Sequence, residues 1–331
     1  MQQIDKNTFF EFTKNFAFVP VTQTQGMYEM HALSGVERIK FFVNDIKKPT
    51  IACFGHEKKF LTKKMLLING ECFAEKIDFK NRKKTQQYIS DLQVFYVSLK
   101  TFDYDMIEIQ SNTEWNFNYE IALRQAGYLR PVGLFSTTVT RLVNLALPIE
   151  YDRNWERNIK KSAKYNLKLE IIEQPSEKDC ADFCAIYNTM CDRKFLRTHL
   201  TMQQVFRLCN DNAFRLLFVN DGELRIATLI IYIDKKEMTS EGVFAGSIKT
   251  ALEKHASFFM YDAMFQYLNS FCVVYDMAKL TASEKGKLFQ FKNGITGKAI
   301  HLNGEYSLYK KRYYRPMMYF VKKYLMKKRE V

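Results

Sequence analysis

Two short segments of this chain repeat each other, and that constrains what it can fold into. Phe41-Phe42-Val43-Asn44-Asp45 is followed by Lys48-Pro49-Thr50-Ile51-Ala52, and Leu217-Phe218-Val219-Asn220-Asp221 by Leu224-Arg225-Ile226-Ala227-Thr228. Each reads as a strand, an Asn-Asp turn and a second strand, the pattern of a hairpin. A shared five-residue stretch can arise by chance, but the same order of elements follows both copies. More strand comes first, then a long helix, a strand, a short helix and a closing strand. The order predicts a tandem duplication of one α/β unit.

At 331 residues, two domains of ordinary size are expected, each able to bury a core of its own. Hydrophobic residues make up 47% and charged residues 26%, which excludes a disordered chain. Fifty Lys and Arg against 36 Asp and Glu give +14. Such a surplus suits polyanionic partners, such as RNA or an anionic membrane surface, and equally a soluble protein rich in lysine. The odd count of seven cysteines and a start without an apolar leader lead us to expect reduced thiols and a cytoplasmic protein. Cys180, Cys184 and Cys191 lack the paired spacing or nearby histidines of a metal site, so no metal is expected.

The first domain is expected over residues 1–150. Its strands are read at Arg38 to Val43, Thr50 to Phe54, Met65 to Ile68, Met106 to Ile109 and Phe135 to Leu142. A helix is predicted over Arg82 to Leu99, where Tyr88, Leu92, Phe95, Tyr96 and Leu99 recur near helical period. A short helix from Asn118 should end at Gly127, a residue that accepts positive φ. The second domain, 151–331, opens with a basic inter-domain helix at about 154–167. Trp155, Ile159 and Ala163 form one face there, while Arg157, Lys160, Lys161 and Lys164 gather opposite. That stripe is either a solvated face or a cradle for phosphates. Helices follow at Lys178 to Arg193, Lys254 to Asn269 and Glu284 to Lys292, with strands between them, and Lys298 to Leu302 is expected to close the second sheet.

One segment resembles a known family. Gly286-Lys287-Leu288-Phe289-Gln290-Phe291-Lys292-Asn293-Gly294-Ile295-Thr296-Gly297 follows the strand carrying Tyr275-Asp276. This order resembles the closing motif of the Fem-type (FemABX) peptidyltransferases. Met106 to Ile109, Leu123 to Tyr128 and Thr137 to Val143 are similar to the end of that family's first domain, and Trp155 to Leu167 to its basic helix. The resemblance implies an α/β (α+β) fold of two tandem acetyltransferase-like (GNAT) domains, with mixed, mostly antiparallel sheets flanked by helices. It implies transfer of an amino acid from aminoacyl-tRNA to the amino group of a UDP- or lipid-linked muropeptide precursor, with no bound cofactor. The sequence departs from the family at Asn293-Gly294-Ile295, where an aromatic-glycine ending is usual.

By that resemblance Lys292 is the expected catalytic cation, stabilising an oxyanion or the departing ribose oxygen; its bland alternative is a surface lysine. Asp276 is expected to take a proton from the amine or to cap a turn. Phe291 and Tyr275 are expected at the substrate or in the core, and Arg157, Lys160, Lys161 and Lys164 at anionic groups of the substrates. Two other readings stay open. One is an acyl-CoA-dependent N-acyltransferase acting on an amino sugar, although neither half carries the glycine-rich pyrophosphate loop. The other is a non-catalytic protein that binds RNA or an anionic surface. The tail from Pro316 to Glu330 mixes Tyr319, Phe320 and Tyr324 with Lys322-Lys323 and Lys327-Lys328. It is expected either to touch the inner face of an anionic membrane or to pack on the domain.

Overall fold

The computed structural model describes residues 1–34, 38–60, 62–76, 79–133, 138–196, 198–280 and 286–325. Two compact units emerge, one of Met1–Val139 with Ile300–Val331 and one of Thr140–Ala299. The expected division at residue 150 is therefore corrected: the chain leaves the first unit near Val139 and returns to it at Ile300.

Strand β1 (Gln2–Ile4) leads into α1 (Lys6–Thr13), whose first N–H groups are capped by the Asp5 carboxylate. After α2 (Gln25–Ala32) come β2 (Arg38–Val43) and β3 (Ile51–Phe60), the first of the repeated hairpins. The Asn44 side-chain oxygen accepts the N–H groups of Thr50 and Ile51, which explains an Asn at this turn. β4 (Lys63–Ile68), the two-residue β5 (Cys72–Phe73), α3 (Arg82–Leu99), β6 (Met106–Glu114) and α4 (Phe117–Gln125) complete this stretch. The buried face of α3 is Tyr88, Leu92, Phe95, Tyr96 and Leu99, the stripe its periodicity predicts.

The second unit contains β7 (Val139–Asn144), α5 (Arg153–Ser162), β8 (Leu167–Ile172), α6 (Glu177–Arg193) and α7 (Met202–Cys209). The second repeated hairpin, β9 (Phe214–Asp221) and β10 (Leu224–Asp234), is followed by β11 (Thr239–Ser247). Then come α8 (Lys249–Glu253), α9 (Ala256–Leu268), β12 (Val274–Asp276) and α10 (Lys287–Asn293). The helix expected from Lys254 to Asn269 is thus broken at His255, whose φ of 56° is left-handed. Of the strand and helix expected at Phe135 to Leu142 and Glu284 to Lys292, residues 135–137, 284 and 285 lie outside the described residues. β13 (Lys298–Tyr309) and α11 (Tyr314–Phe320) return to the first unit.

Each unit builds one sheet, ordered β1-β2-β3-β4-β6-β13 in the first and β8-β9-β10-β11-β12-β7 in the second. Both are antiparallel except at one place, where β4 runs parallel to β6 and β11 parallel to β12. The repeated hairpins occupy equivalent positions, second and third from the outer edge of each sheet. The expectation that Lys298 to Leu302 closes the second sheet is overturned. β13 pairs antiparallel with β6, Tyr309 opposite Met106, while β12 receives β7, Val274 opposite Asn144. Each sheet ends on a strand borrowed from the other half of the sequence.

Candidate active site at the fork of the second sheet

β11 and β12 pair over three residues only, and Glu241 opposite Asp276 is the last pair. β11 then runs on to Ser247 with its outer edge unpaired by any strand among the described residues. Its register against β10 shifts between Ile230 and Ile231, leaving Val243 as an extra residue. A bulge bends a strand and increases its twist, which opens the fork further. The open edge offers backbone N–H and C=O groups to an extended ligand.

Two glycines shape this strand. A Cβ at Gly242 would lie 2.7 Å from the Tyr275 hydroxyl, and one at Gly246 would lie 2.8 Å from Tyr187 Cα. Gly242 thereby admits Tyr275, which is fully buried and meets Tyr261 and Phe265 edge-on. Of the two roles read for Tyr275, the structure places it in the core.

Asp276 and Lys292 are brought to the fork together. One Asp276 oxygen accepts the Ala278 N–H at 2.7 Å and the Thr140 hydroxyl. Lys292 is buried, and its ammonium donates to the carbonyls of Met277 (2.5 Å), Ala278 (2.6 Å) and Lys279 (3.0 Å). An ammonium has three protons, and all three are engaged. The surface-lysine alternative is corrected, since Lys292 staples the turn that follows β12. Ala278, at the centre of that turn, has φ 52°. Burial lowers Lys292 to about 8, against the pull of the Asp276 charge, and burial also raises Asp276.

Glu241 is the functional candidate that the sequence did not reveal. Burial and the charge of Asp276 push its carboxyl up to about 8, with Lys279 opposing. Two carboxylates side by side cannot both ionise easily, so one holds a proton near neutrality. Only the register between β11 and β12 exposes the pairing; nothing local to Glu241 signals it.

Phe291 is expected at the substrate or in the core, and the structure finds it packed. Its ring lies 4.7 Å from Trp155, 5.1 Å from Phe258 and 5.3 Å from Tyr261, and its carbonyl accepts the Trp155 indole N–H at 2.6 Å. α10 thus ties α5 to the fork, Phe291 on one and Lys292 at the other. Gly294 is required by the same packing, because any Cβ there would run into the Trp155 ring.

Arg157, Lys160 and Lys161 on α5, which Asp152 caps, and Lys164 just beyond its C-terminus are all exposed; the helix expected to reach 167 ends at Ser162. Burial and the charges of Lys161 and Arg157 hold His255 below the usual histidine range. Arg157 and Lys161 of the stripe thus lie close enough to His255, the residue before α9, to act on its charge. Among the described residues no group of three or more His, Cys, Asp or Glu is placed to hold a metal, and all seven cysteines are buried as free thiols.

FemX superposes with a TM-score of 0.68 at 11% identity, over 96% of this chain and 100% of its own. L-PGS from Bacillus licheniformis gives 0.65 at 12%, over 98% and 97%. A tandem GNAT protein from the clavulanic acid biosynthesis pathway gives 0.51 at 8%, over 93% and 97%. The chain has the tandem GNAT fold. At these identities the likeness concerns fold. No protein-family model matches the sequence, and neither does any curated protein. The duplication read from the hairpins and the two acetyltransferase-like units implied by the Fem resemblance agree with this tandem GNAT architecture.

Proposed function

We propose that this protein is an acyltransferase that moves an aminoacyl group from aminoacyl-tRNA to an amino group of a peptidoglycan precursor. The observation that carries the reading is Glu241 beside Asp276 at the mouth of an open strand fork. Aminolysis of an ester needs a neutral amine, a positioned carbonyl and a stabilised oxyanion. Glu241, ionised as pH approaches 8, takes the proton of the acceptor ammonium. The amine nitrogen attacks the ester carbonyl, a C–N bond forms, and the C–O bond to the ribose breaks. The proton held by Glu241 passes to the leaving ribose oxygen, and the second proton shed by the attacking nitrogen returns to Glu241 and is released to water. Backbone N–H groups on the free edge of β11 face the developing oxyanion, and Lys292 acts by fixing the turn that carries Asp276.

The stripe Arg157, Lys160, Lys161 and Lys164 supplies phosphate contacts for the donor. A tandem fold shared with FemX and L-PGS over nearly the full length of all three chains supports the reading. The acceptor is a muropeptide precursor, UDP- or lipid-linked, reached from the cytoplasmic side. Among the described residues no helix is long and apolar enough to cross a membrane.

The test supplies mixed aminoacyl-tRNA or an acyl-CoA pool, separately, to purified protein with muropeptide precursors and amino sugars. The expected product is a muropeptide heavier by one amino-acid residue, which fails to form when the donor is first treated with ribonuclease. An acyl group gained from acyl-CoA would instead assign the protein to amino-sugar acylation. Changing all four stripe residues to Glu should weaken tRNA binding and flatten its salt dependence; unchanged affinity would remove the stripe from the site.

A further inference from the structure

The C-terminal helix has two apolar faces, and only one is used inside the protein. Met318 and Val321 pack with Met65 and Met106, and Tyr314 is buried beside them. Lys322, on the π-helical turn Val321–Leu325, pairs with Glu108 at 2.5 Å. On the other face Tyr313, Phe320 and Tyr324 are each 58% exposed and Leu325 71%, with Pro316 exposed between them. The positions 313, 316, 320 and 324 recur every three or four residues, so they form one stripe.

The formal charges within this segment itself have a single sign. Residues 310–325 include Lys310, Lys311, Arg312, Arg315, Lys322 and Lys323 and no carboxylate. Lys310, Arg315 and Lys322 are engaged by Asp103, the Arg130 carbonyl and Glu108. Lys311 lies over the Tyr313 ring at 5.8 Å, and Lys323 lies over Tyr319 and Tyr324 at 5.1 and 5.9 Å. Cations resting on exposed rings are amphipathic in the way that suits a bilayer interface, with apolar bodies down and charges at the phosphates.

We propose that this stripe docks the protein on an anionic lipid surface. The rings of Tyr313, Phe320 and Tyr324 sit at headgroup depth, and Lys311, Arg312 and Lys323 meet lipid phosphates. Single-stranded nucleic acid is the less favoured occupant, because stacking bases needs separated rings. Phe320 and Tyr324 stack on each other instead, centroids 5.6 Å apart and planes at 24°. The inference stands apart from the proposed transfer reaction and survives its failure.

The experiment sediments the full chain with phosphatidylcholine vesicles, with and without phosphatidylglycerol. The protein should pellet only with the anionic vesicles and be released by salt. Changing Phe320→Ser together with Tyr324→Ser should weaken partitioning about tenfold or more, since each ring carries much of the buried apolar area. A second pair, Lys311→Glu with Tyr313→Ser, alters the other end of the stripe and serves if the first pair melts early. Undiminished pelleting of a folded variant would overturn the proposal. So would light scattering that shows a dimer dissociated by the same pair, or tRNA binding that this pair abolishes while vesicle binding persists.

Discussion

In the first unit the parallel pairing of β4 with β6 ends at Ile68 opposite Ile109, and the chain then turns inward at Gly70, where φ is +83°. Glu71 enters the protein fully buried, and its carboxylate accepts hydrogen bonds from the hydroxyls of Tyr96 and Tyr119. In the second unit the equivalent pairing ends at Glu241 opposite Asp276, but β11 continues outward through a bulge, and Gly242 to Ala245 stay partly exposed. The strand order is the same and the contents are opposite. One fork is filled by a carboxylate in a tyrosine box, and the other presents a carboxylate on an open strand edge. Whether such a fork holds chemistry depends on the few residues after the last parallel pair, where a strand either turns in or runs on.

The strongest way to break this comparison is to neutralise the two carboxylates separately. Glu241→Gln should lower the rate of transfer at least about a hundredfold, the usual contribution of a positioned base, with little loss of stability. In the wild type the rate should climb as pH rises through about 8, because only ionised Glu241 accepts the proton. The variant should lose that limb. Glu71→Gln should leave both rate and limb intact. A rate loss at Glu71 equal to that at Glu241 would place chemistry in the first unit instead.

Glu71 should show itself in stability. Burial pushes it up to about 7, against Tyr119 and Ser111, from an ordinary value of 4.5. A carboxyl raised by folding favours the folded state when protonated. Its contribution is therefore complete below about 4.5 and is lost as pH rises through about 7. The loss amounts to about 3 kcal/mol, at roughly 1.4 kcal/mol per pKa unit. Glu71→Gln, which cannot ionise, should become progressively more stable relative to the wild type between pH 4 and pH 8, as about that difference in urea unfolding. A difference that does not change with pH would mean that Glu71 is ordinary in the folded protein.

Much of this architecture was legible in the sequence, and the exceptions share a cause. The hairpins at Phe41 to Asp45 and Leu217 to Asp221 announced themselves because turn chemistry and alternation are local. The α3 stripe from Tyr88 to Leu99 did so because its period is local too. The exchange of β7 and β13 was invisible, since nothing in residues 298–309 says that their partner is β6, nearly 200 positions away. Glu241 was missed for the same reason, as its meaning lies in a register with Asp276. Lys292 was found through a family motif, but its three carbonyl partners, a turn of backbone, left no trace in side-chain pattern.

Lys292 sharpens the comparison from another side, because the first fork turns on Gly70 while the turn of the second is held by a lysine side chain. Lys292→Met removes the donor for the carbonyls of Met277, Ala278 and Lys279. Leaving such groups poorly satisfied costs about 2–3 kcal/mol, seen as a lowered unfolding midpoint. The rate should fall as Asp276 loses its fixed place, while the limb near pH 8 stays where it was. A limb that vanished in this variant would make Lys292, not Glu241, the titrating group.

The smallest effect concerns the turn itself. Ala278 holds φ 52°, with its N–H given to Asp276 and its carbonyl to Lys292. A non-glycine residue there costs about 1 kcal/mol, and glycine adopts the conformation freely but loses about 0.5–1 kcal/mol more chain entropy on folding. Ala278→Gly should therefore stabilise the wild type by no more than about half a kcal/mol, near the limit of a urea titration. Its value lies in the double-mutant cycle. If the Lys292 staple forces the strained backbone, the Lys292→Met background lets the turn relax, and the gain from glycine should disappear or reverse. Equal gains in both backgrounds would show that Asp276 alone sets the turn, and Lys292 would then be a stabilising bystander to the fork.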